Sequence, residues 1–309
     1  MVAPTSSGIW EVRAARVAPS DLLALTKPRI VALVMLTVAA AYAVALPTLP
    51  PGQFPATLVA RSWVLLHALL GTALVAGGTN ALNQLSERDV DALMRRTRNR
   101  PLPSGRLLPS HAALFAWTIA AMGAAELALL VNAATALLAL LTLASYVFAY
   151  TPLKRRTTLA TLVGAVPGAL PIVGGWTAAT GTVDAGAMVL FGILFLWQIP
   201  HFLALSWMYR EDYARAGLRM LSIDDDGGRS TFRQAALNAG ALIPISLAPT
   251  ALLIAGRTYF VGALVLSTAL FVIALAAARS PGIGTARRLF FSTLVYLPAL
   301  LALMVVDRL

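Results

Sequence analysis

The chain has 309 residues, of which 59% are hydrophobic and only 12% are charged, and its mean hydropathy is +0.78. Soluble domains carry about 25% charged residues, so this composition predicts a polytopic membrane protein. The net charge is +11, but the bases occur in short clusters between apolar runs, which is typical of membrane topology and argues against nucleic-acid binding. The absence of cysteine excludes disulfides, thiolate metal sites and a cysteine nucleophile.

Residues 1–20 contain no apolar run of the kind found in a secretory signal, and we expect a short, poorly ordered cytoplasmic tail there. The remainder, 21–309, is expected to form a single transmembrane domain. A membrane-crossing helix needs about 20 mainly apolar residues. Nine segments meet that requirement and predict an all-α, nine-helix membrane protein: 29–47, 63–85, 111–131, 133–150, 157–177, 186–208, 233–255, 258–278 and 289–306.

The basic residues divide unequally between the two sides of these spans. Of the 24 Lys and Arg residues, 21 lie on the side of the N-terminus and 3 on the other side. The positive-inside rule then predicts a cytoplasmic N-terminus, cytoplasmic even-numbered loops and an external C-terminus. Two of the cytoplasmic loops, 86–110 and 209–233, are long, and loops of that length are usually functional or disordered.

The first long loop and the end of the preceding span read "NALNQLSERDVDALMRRTRNRPLPSGRL", residues 80–107. Asn83, Glu87 and Asp91 are spaced i, i+4 and i+8, so they share one face if the second span continues as a helix. A hard cation would relieve repulsion between the acids, and Mg²⁺ binds through one or two carboxylates together with substrate phosphates. Arg96 and Arg100 follow, with the fork geometry that suits phosphate oxygens. On spacing alone, arginines that only fix topology and acids that are merely solvated remain an equal alternative.

A second polar stretch, "WQIPHFLALSWMYREDYARAGLRML" at 197–221, also ends a span in an acid-bearing helix. Asp212 follows Asp91 by 121 residues, and the two could be equivalent parts of two halves that hold a diphosphate through bridging Mg²⁺. Between them, Lys154 in "YTPLKRRT" lies in a basic cluster that sets topology or reaches a phosphate. His201 lies within the sixth span, where a histidine either packs or serves the site.

The stretch "NQLSERDVDALMRRTRNRPLPSG" resembles the first signature of the UbiA superfamily of intramembrane prenyltransferases, N-D-x-x-D-x-x-x-D followed by R-x-x-x-R-P-[LI]-P-S-G. Glu87 stands where most members have Asp, and Gln84 also departs from the pattern. These departures resemble the branch of the superfamily that farnesylates haem. So do the blocks "LTKPRI" at 25–30, "YTPLKRRT" at 150–157, "AVPGALPIVGGW" at 165–176 and the stretch 197–221.

The resemblance implies a UbiA-type nine-helix bundle with a central cavity open to lipid. It implies Mg²⁺-dependent transfer of a farnesyl group from farnesyl diphosphate to a vinyl group of haem b, with water addition, giving haem O and diphosphate. It also implies a bacterial inner-membrane location and, downstream, a haem A synthase or an oxidase assembly factor as a partner.

The residues implied for each role fall into three sets. The catalytic and metal-binding residues would be Asn83, Glu87, Asp91 and Asp212. The diphosphate-binding residues would be Arg96, Arg100, Lys154 and Arg210. The substrate pocket would include Trp197, His201, Tyr209 and Tyr213, although the two tyrosines stand where other members of the superfamily have Asp.

Two other functions stay open at this point. Within the same fold, the acceptor could be an aromatic acid or a quinone precursor. Outside it, a secondary transporter would also have such spans, but it predicts buried charges near the bilayer centre. Here the acids and bases collect at one end of the predicted bundle, which favours an enzyme.

Overall fold

A computed structural model describes residues 17–48 and 57–309, and within these two ranges the chain is helical without a β-strand. Of the tail predicted at 1–20, residues 1–16 lie outside the described ranges, and a helix already begins at Pro19. The helices are α1 (Pro19–Thr26), α2 (Pro28–Ala45), α3 (Leu58–Ser86), α4 (Arg88–Leu93), α5 (Pro109–Leu130), α6 (Ala133–Ala144), α7 (Thr151–Leu153), α8 (Ala160–Thr180), α9 (Ala185–Met208), α10 (Arg210–Arg215), α11 (Arg229–Ala251), α12 (Arg257–Arg279) and α13 (Ile283–Val306).

Eight helical segments of the described chain are long and apolar enough to cross a membrane. One of them, 133–153, joins α6 and α7 through a π-helical turn at Ser145–Tyr150. The predicted seventh span is the 23-residue helix α11, which is less apolar because it begins with Arg229 and also carries Arg233. It packs between α9 and α12. The described residues thus confirm the predicted all-α membrane bundle, with eight such spans and α11 as a further long helix.

Small residues let these helices approach one another closely. A Cβ atom on Gly71 of α3 would lie 3.0 Å from the carbonyl oxygen of Gly123 on α5, and one on Gly123 would lie 2.6 Å from that of Gly71. Gly175 of α8 packs in the same way against the backbone of Val38 on α2. Such contacts are typical of membrane helices, which associate by close packing because lipid gives no hydrophobic drive between them.

Two of the long helices end at the same end of the bundle in similar breaks. Helix α3 stops at Ser86, Glu87 has φ −104° and ψ 9°, and the six-residue helix α4 follows. Helix α9 stops at Met208, Tyr209 has φ −114° and ψ 19°, and the six-residue helix α10 follows. The continuous helix expected through Asn83, Glu87 and Asp91 is therefore interrupted at Glu87.

These two breaks form the framework of the polar end. Val90 and Met94, from α4 and just after it, pack against Ala216 and Leu218, which follow α10, and Tyr213 joins this cluster. The two polar stretches that the sequence separates by about 120 residues are therefore neighbours. Counting from break to break, Tyr209 is the counterpart of Glu87, and Tyr213 is the counterpart of Asp91.

Candidate active site

Glu87 forms a largely buried ion pair at the break after α3. Lys154 Nζ donates to Glu87 Oε1 at 2.9 Å, and the two side chains are 11% and 13% exposed. Asn83 Nδ2 donates to the other carboxylate oxygen at 3.0 Å. Burial alone would lower the pKa of Lys154, but the adjacent Tyr150 and Glu87 outweigh it and raise that pKa above its usual range. Lys154 is therefore a fixed positive charge within the site.

Asp91 lies one turn further along and is almost completely buried. Arg100 Nη1 donates to its Oδ2 atom at 2.7 Å, and Thr97 Oγ1 donates to its carbonyl oxygen at 2.8 Å. The backbone bonds Glu87 N to Asn83 O and Asp91 N to Glu87 O persist across the break, at 3.0 and 2.7 Å. These i to i−4 bonds keep Asn83, Glu87 and Asp91 about one turn apart along the chain despite the break at Glu87.

Lys27, between α1 and α2, completes the cluster, and sequence reasoning gave it no role in the site. Its Nζ donates to Asn83 Oδ1 at 3.2 Å. Burial first, and then the nearby Arg100 and Lys154, lower the pKa of Lys27 to about 7. The signal that could have revealed it is the block "LTKPRI", which places a lysine immediately before a proline at a helix junction.

The backbone of Lys27 is in the left-handed region, with φ 53° and ψ 65°, which is uncommon for a residue other than glycine. Two side chains of α3 hold this junction. Gln84 Nε2 donates to the carbonyl oxygen of Leu25 at 2.8 Å, and Asn80 Nδ2 donates to that of Thr26 at 3.1 Å. Gln84, which departs from the general family pattern, thus satisfies a carbonyl at the end of α1 and fixes the approach of Lys27.

Aromatic rings from the π-helical turn lie beside this cluster. The Lys154 ammonium is 4.4 Å from the Tyr150 ring centroid and 5.9 Å from that of Tyr146. Thr151 Oγ1 donates to the carbonyl oxygen of Tyr146 at 2.8 Å and accepts from Asn83 Nδ2 at 3.2 Å. π-Helical turns are rare and occur frequently at functional sites. This turn brings two phenol rings and a cation to the same place.

The second polar stretch contributes different groups. Asp212 Oδ1 accepts from the backbone N–H of Arg95 at 3.4 Å and pairs with Arg215 at 3.1 Å. The guanidinium of Arg96 lies 5.2 Å from the Tyr209 ring centroid and 5.9 Å from that of Tyr213. Tyr209 and Tyr213 stand where other members of the superfamily have Asp, and both rings lie beside Arg96 of the first polar stretch.

The remaining predicted residues lie on α9 and just after it. His201 Nδ1 is 2.8 Å from Thr293 Oγ1 of α13, and Trp197 Nε1 donates to the Thr293 carbonyl oxygen at 2.8 Å. The Thr293 hydroxyl itself donates to the Phe290 carbonyl oxygen, so His201 Nδ1 must be the donor in their bond and Nε2 keeps its lone pair. Arg210 stacks over Trp207 at 4.6 Å and makes no ion pair with a described residue.

Three carboxylates and an amide, from Glu87, Asp91, Asp212 and Asn83, provide oxygen ligands of the kind that a hard cation such as Mg²⁺ prefers. Within the described residues, no group of three or more acidic or histidine side chains is close enough to form a complete metal site. The carboxylates pair instead with Lys154, Arg100 and Arg215. The donor chemistry of these residues fits Mg²⁺. The paired bases already offset part of the negative charge of the carboxylates.

The chain matches the model of the UbiA prenyltransferase family over residues 30–297. It is 44% identical over 298 residues to the protoheme IX farnesyltransferase of Solibacter usitatus (strain Ellin6076), covering 93% of this chain and 98% of that protein. It is 47% identical over 280 residues to the protoheme IX farnesyltransferase of an Anaeromyxobacter species (strain Fw109-5), covering 91% and 90%.

Among solved structures, the fold is similar to that of a digeranylgeranylglyceryl phosphate synthase, with a TM-score of 0.75 and 15% identity over 93% of this chain and 97% of that one. It is also similar to a UbiA homologue from Archaeoglobus fulgidus bound to GPP and Mg²⁺, with a TM-score of 0.58 and 18% identity over 92% and 99%. At such low identity these two likenesses concern the fold.

Proposed function

The chain belongs to the UbiA prenyltransferase family, and we propose that it transfers a farnesyl group from farnesyl diphosphate to a vinyl group of haem b. Water adds in the same reaction, and the products are haem O and diphosphate. The observation that carries the proposal is the buried cluster of Glu87, Lys154 and Asn83, with Asp91 and Arg100 beside it. The acceptor is inferred from the relatives, which are protoheme IX farnesyltransferases at 44–47% identity over most of the chain.

The basic side chains bind and orient the diphosphate. Lys154 and Arg100 are held in place by their carboxylate partners, and Lys27 lies against Asn83. As a diphosphate enters, these cations turn toward its oxygens, where arginine forms paired hydrogen bonds and lysine acts as a point charge. Asn83, Glu87, Asp91 and Asp212 are the residues that would hold Mg²⁺, and the ion would supply further positive charge for the leaving group.

Once the bond between the farnesyl C1 and the diphosphate oxygen breaks, the allylic cation needs an electron-rich and dry environment. Tyr146 and Tyr150 face the cluster from the π-helical turn, and their ring faces attract a cation. The terminal vinyl carbon of haem forms the new bond to the farnesyl C1. Water then adds to the adjacent carbon as a hydroxyl group and releases one proton.

His201 and Trp197 are assigned to the acceptor side of the pocket. The bond to Thr293 leaves His201 Nε2 as a proton acceptor, and the ring is stacked on Phe290 at 4.7 Å. These features suit a flat aromatic substrate, or the removal of the proton that water loses. Tyr209 and Tyr213, whose rings lie beside Arg96, are assigned to the same side of the pocket.

The location of the reaction follows from the charges. We infer that the polar end faces the cytoplasm, because 21 of the 24 basic residues belong to that side of the chain. A water-soluble diphosphate group and a lipid-embedded farnesyl chain meet at this end. We also infer that haem O passes from the membrane to a haem A synthase or an oxidase assembly factor.

The experiment is turnover by the purified protein with farnesyl diphosphate and haem b, with and without Mg²⁺, and with haem O identified by mass spectrometry. We expect haem O and one equivalent of diphosphate only when Mg²⁺ and both substrates are present. Turnover with 4-hydroxybenzoate and none with haem would refute the assignment of the acceptor and leave the prenyltransferase class intact.

A further inference from the structure

A cavity of about 500 Å³ lies beside the second polar stretch, between the break that ends α9 and the beginning of α13. This volume is within the range of small-molecule pockets, roughly 300–1,000 Å³. Its walls include Arg95, Arg210 and Arg215 together with Trp207, Met208 and Ile283. The Glu87–Lys154 ion pair is not part of its lining. Asp212, one of the residues proposed to hold Mg²⁺, does line it, so the cavity adjoins the diphosphate site and shares this residue with it.

Two of the arginines that line the cavity have no acidic partner among the described residues. Arg215 is paired with Asp212, so these two charges offset each other. Within the described part of the chain, the side chains of Arg95 and Arg210 form neither an ion pair nor a hydrogen bond, and only the Trp207 ring lies under Arg210. Glu211, also in the lining, is one negative charge against these two positive charges. The remaining surplus of one positive charge favours an anionic ligand.

The rest of the lining includes apolar groups. Met208 and Ile283 bring a thioether and an aliphatic side chain to the wall, while the Trp207 ring is 8% exposed and lies under Arg210. Methionine adapts its shape to irregular and aromatic ligands. An inorganic anion would leave these apolar groups unused, whereas an apolar molecule with anionic groups at one edge contacts both parts of the wall.

We propose that this cavity receives the two propionate groups of the haem acceptor, with Arg95 and Arg210 as their partners. The proposal rests on the function proposed above. The propionates of haem b lie at one edge of the macrocycle, and the vinyl groups lie away from that edge. A haem held by its propionates in this cavity has its vinyl groups on the opposite side of the macrocycle, and the proposed reaction requires one of them to reach the farnesyl C1 beside the diphosphate.

His201 and Tyr209 are placed differently relative to the cavity. His201 precedes Trp207 by six residues, which is about 9 Å along an α-helix and about 120° around it, and His201 does not line the cavity. Tyr209 lines the cavity and also lies under Arg96, so the acceptor site borders the first polar stretch through a shared ring.

The proposal gives Arg210 a different ligand from the one expected from the sequence, where it was assigned to the diphosphate. The two assignments predict different kinetic effects. An acceptor ligand changes the KM for haem, whereas a diphosphate ligand changes the KM for farnesyl diphosphate. An anionic phospholipid is a third possible occupant, and its binding would depend on the lipid rather than on haem.

The test compares haem b with its dimethyl ester, in which both propionates are uncharged. Binding to the purified wild-type protein is measured by quenching of tryptophan fluorescence, and both KM values are measured by turnover. We expect the ester to bind at least about tenfold more weakly than haem b, since each lost charge-assisted hydrogen bond costs about that factor. The double variant Arg95→Gln, Arg210→Gln should raise the KM for haem by about tenfold or more and leave that for farnesyl diphosphate within about twofold.

Arg233→Gln is the matched control, because Arg233 is an exposed arginine at the same end of the bundle and outside the cavity. It should change neither KM. Arg210→Lys keeps the charge and should recover part of the haem affinity. An unchanged KM for farnesyl diphosphate in the double variant shows that the protein remains folded.

Three results would overturn the proposal. Equal binding of haem b and its ester, with haem O still formed, would reject the propionate site and keep the proposed function. A rise in the KM for farnesyl diphosphate alone would return Arg210 to the diphosphate. A wild-type protein that neither binds nor farnesylates haem would reject the proposed function, and this proposal with it.

Discussion

Glu87 shows how one side chain can serve two states of a site. Its carboxylate is paired with Lys154 and bonded to Asn83, so the acid and the base neutralise each other while both stay largely buried. Isolated buried charges are costly, and a partner offsets that cost. In the proposed reaction, a bound diphosphate would give the lysine a new anion and leave the carboxylate available to a metal ion. The pair thus keeps both groups charged and in position.

We predict that Glu87→Gln lowers kcat for farnesyl transfer by about a hundredfold, because the change removes a carboxylate proposed to hold Mg²⁺ and the partner that positions Lys154. Glu87→Asp restores the acid that most of the superfamily has, and should lose less activity. Initial rates of haem O formation across a Mg²⁺ titration measure both effects.

Asp89→Asn is the control for Glu87, since Asp89 lies two residues away with its side chain 79% exposed and paired only with Arg88. Its rate should stay within about twofold of the wild type. Activity of Glu87→Gln at the level of this control would show that the ion pair has no part in the reaction.

Among the helices, the sequence predicted the spans well and their terminations poorly. Apolar runs of sufficient length identify membrane helices because each span must satisfy its own backbone in lipid. The breaks at Glu87 and Tyr209 have no proline or glycine to mark them, and they depend on packing between the segments that follow α4 and α10. For the same reason, spacing along the chain suggested Asp212 as the counterpart of Asp91, whereas the breaks align Tyr213 with it.

Some of the site residues were predictable from the sequence, and others were not. Spacing, charge clusters and family resemblance together selected Asn83, Glu87, Asp91, Arg100 and Lys154. The structure joins Asn83, Glu87 and Lys154 in one set of contacts and Asp91 with Arg100 in another. Lys27 was missed because its role depends on a left-handed turn and on α1 lying against α3, and neither is visible in a local pattern. Which base pairs with which acid is likewise a property of the tertiary structure.

The hydrogen bond between α3 and the end of α1 gives a testable prediction. Gln84 donates to the Leu25 carbonyl oxygen from a buried position, and glutamate has the same length but no donor. Gln84→Glu should therefore release the end of α1 and displace Lys27. The loss of such a buried hydrogen bond costs about 1–3 kcal/mol, and more when a charge is introduced. We expect faster amide exchange in α1 and a KM for farnesyl diphosphate raised about tenfold.

Gln234→Glu is the corresponding control, because Gln234 is exposed at the beginning of α11 and the substitution has the same chemistry. It should alter neither amide exchange in α1 nor the KM. If Gln84→Glu slows turnover while exchange in α1 stays unchanged, Gln84 does not act through Lys27.

The molecule as a whole separates its chemistry from its apolar body. Lys27, Glu87, Asp91, Lys154 and Asp212 all belong to connections at one end of the bundle, and this is also the end with most of the basic residues. The long helices expose large apolar side chains, such as Leu129 at 81% and Val306 at 84%, as expected for surfaces in contact with lipid. The proposed site and the predicted topology therefore involve the same set of arginines and lysines.

This arrangement predicts which end of the bundle faces the cytoplasm. The chain has no cysteine, so single cysteines can be introduced and labelled without a background. Ser104→Cys lies in the connection between α4 and α5 at the polar end, and Thr182→Cys lies in the connection between α8 and α9 at the other end; both positions are exposed. The excess of bases predicts that a membrane-impermeant maleimide labels Thr182→Cys in intact spheroplasts, and labels Ser104→Cys only after permeabilisation.

The cysteine-free parent protein is the control for labelling, and haem O formation shows that each variant is folded. The reverse labelling pattern would place the polar end outside the cytoplasm. It would contradict the positive-inside rule, which assigns 21 of the 24 basic residues to the cytoplasmic side.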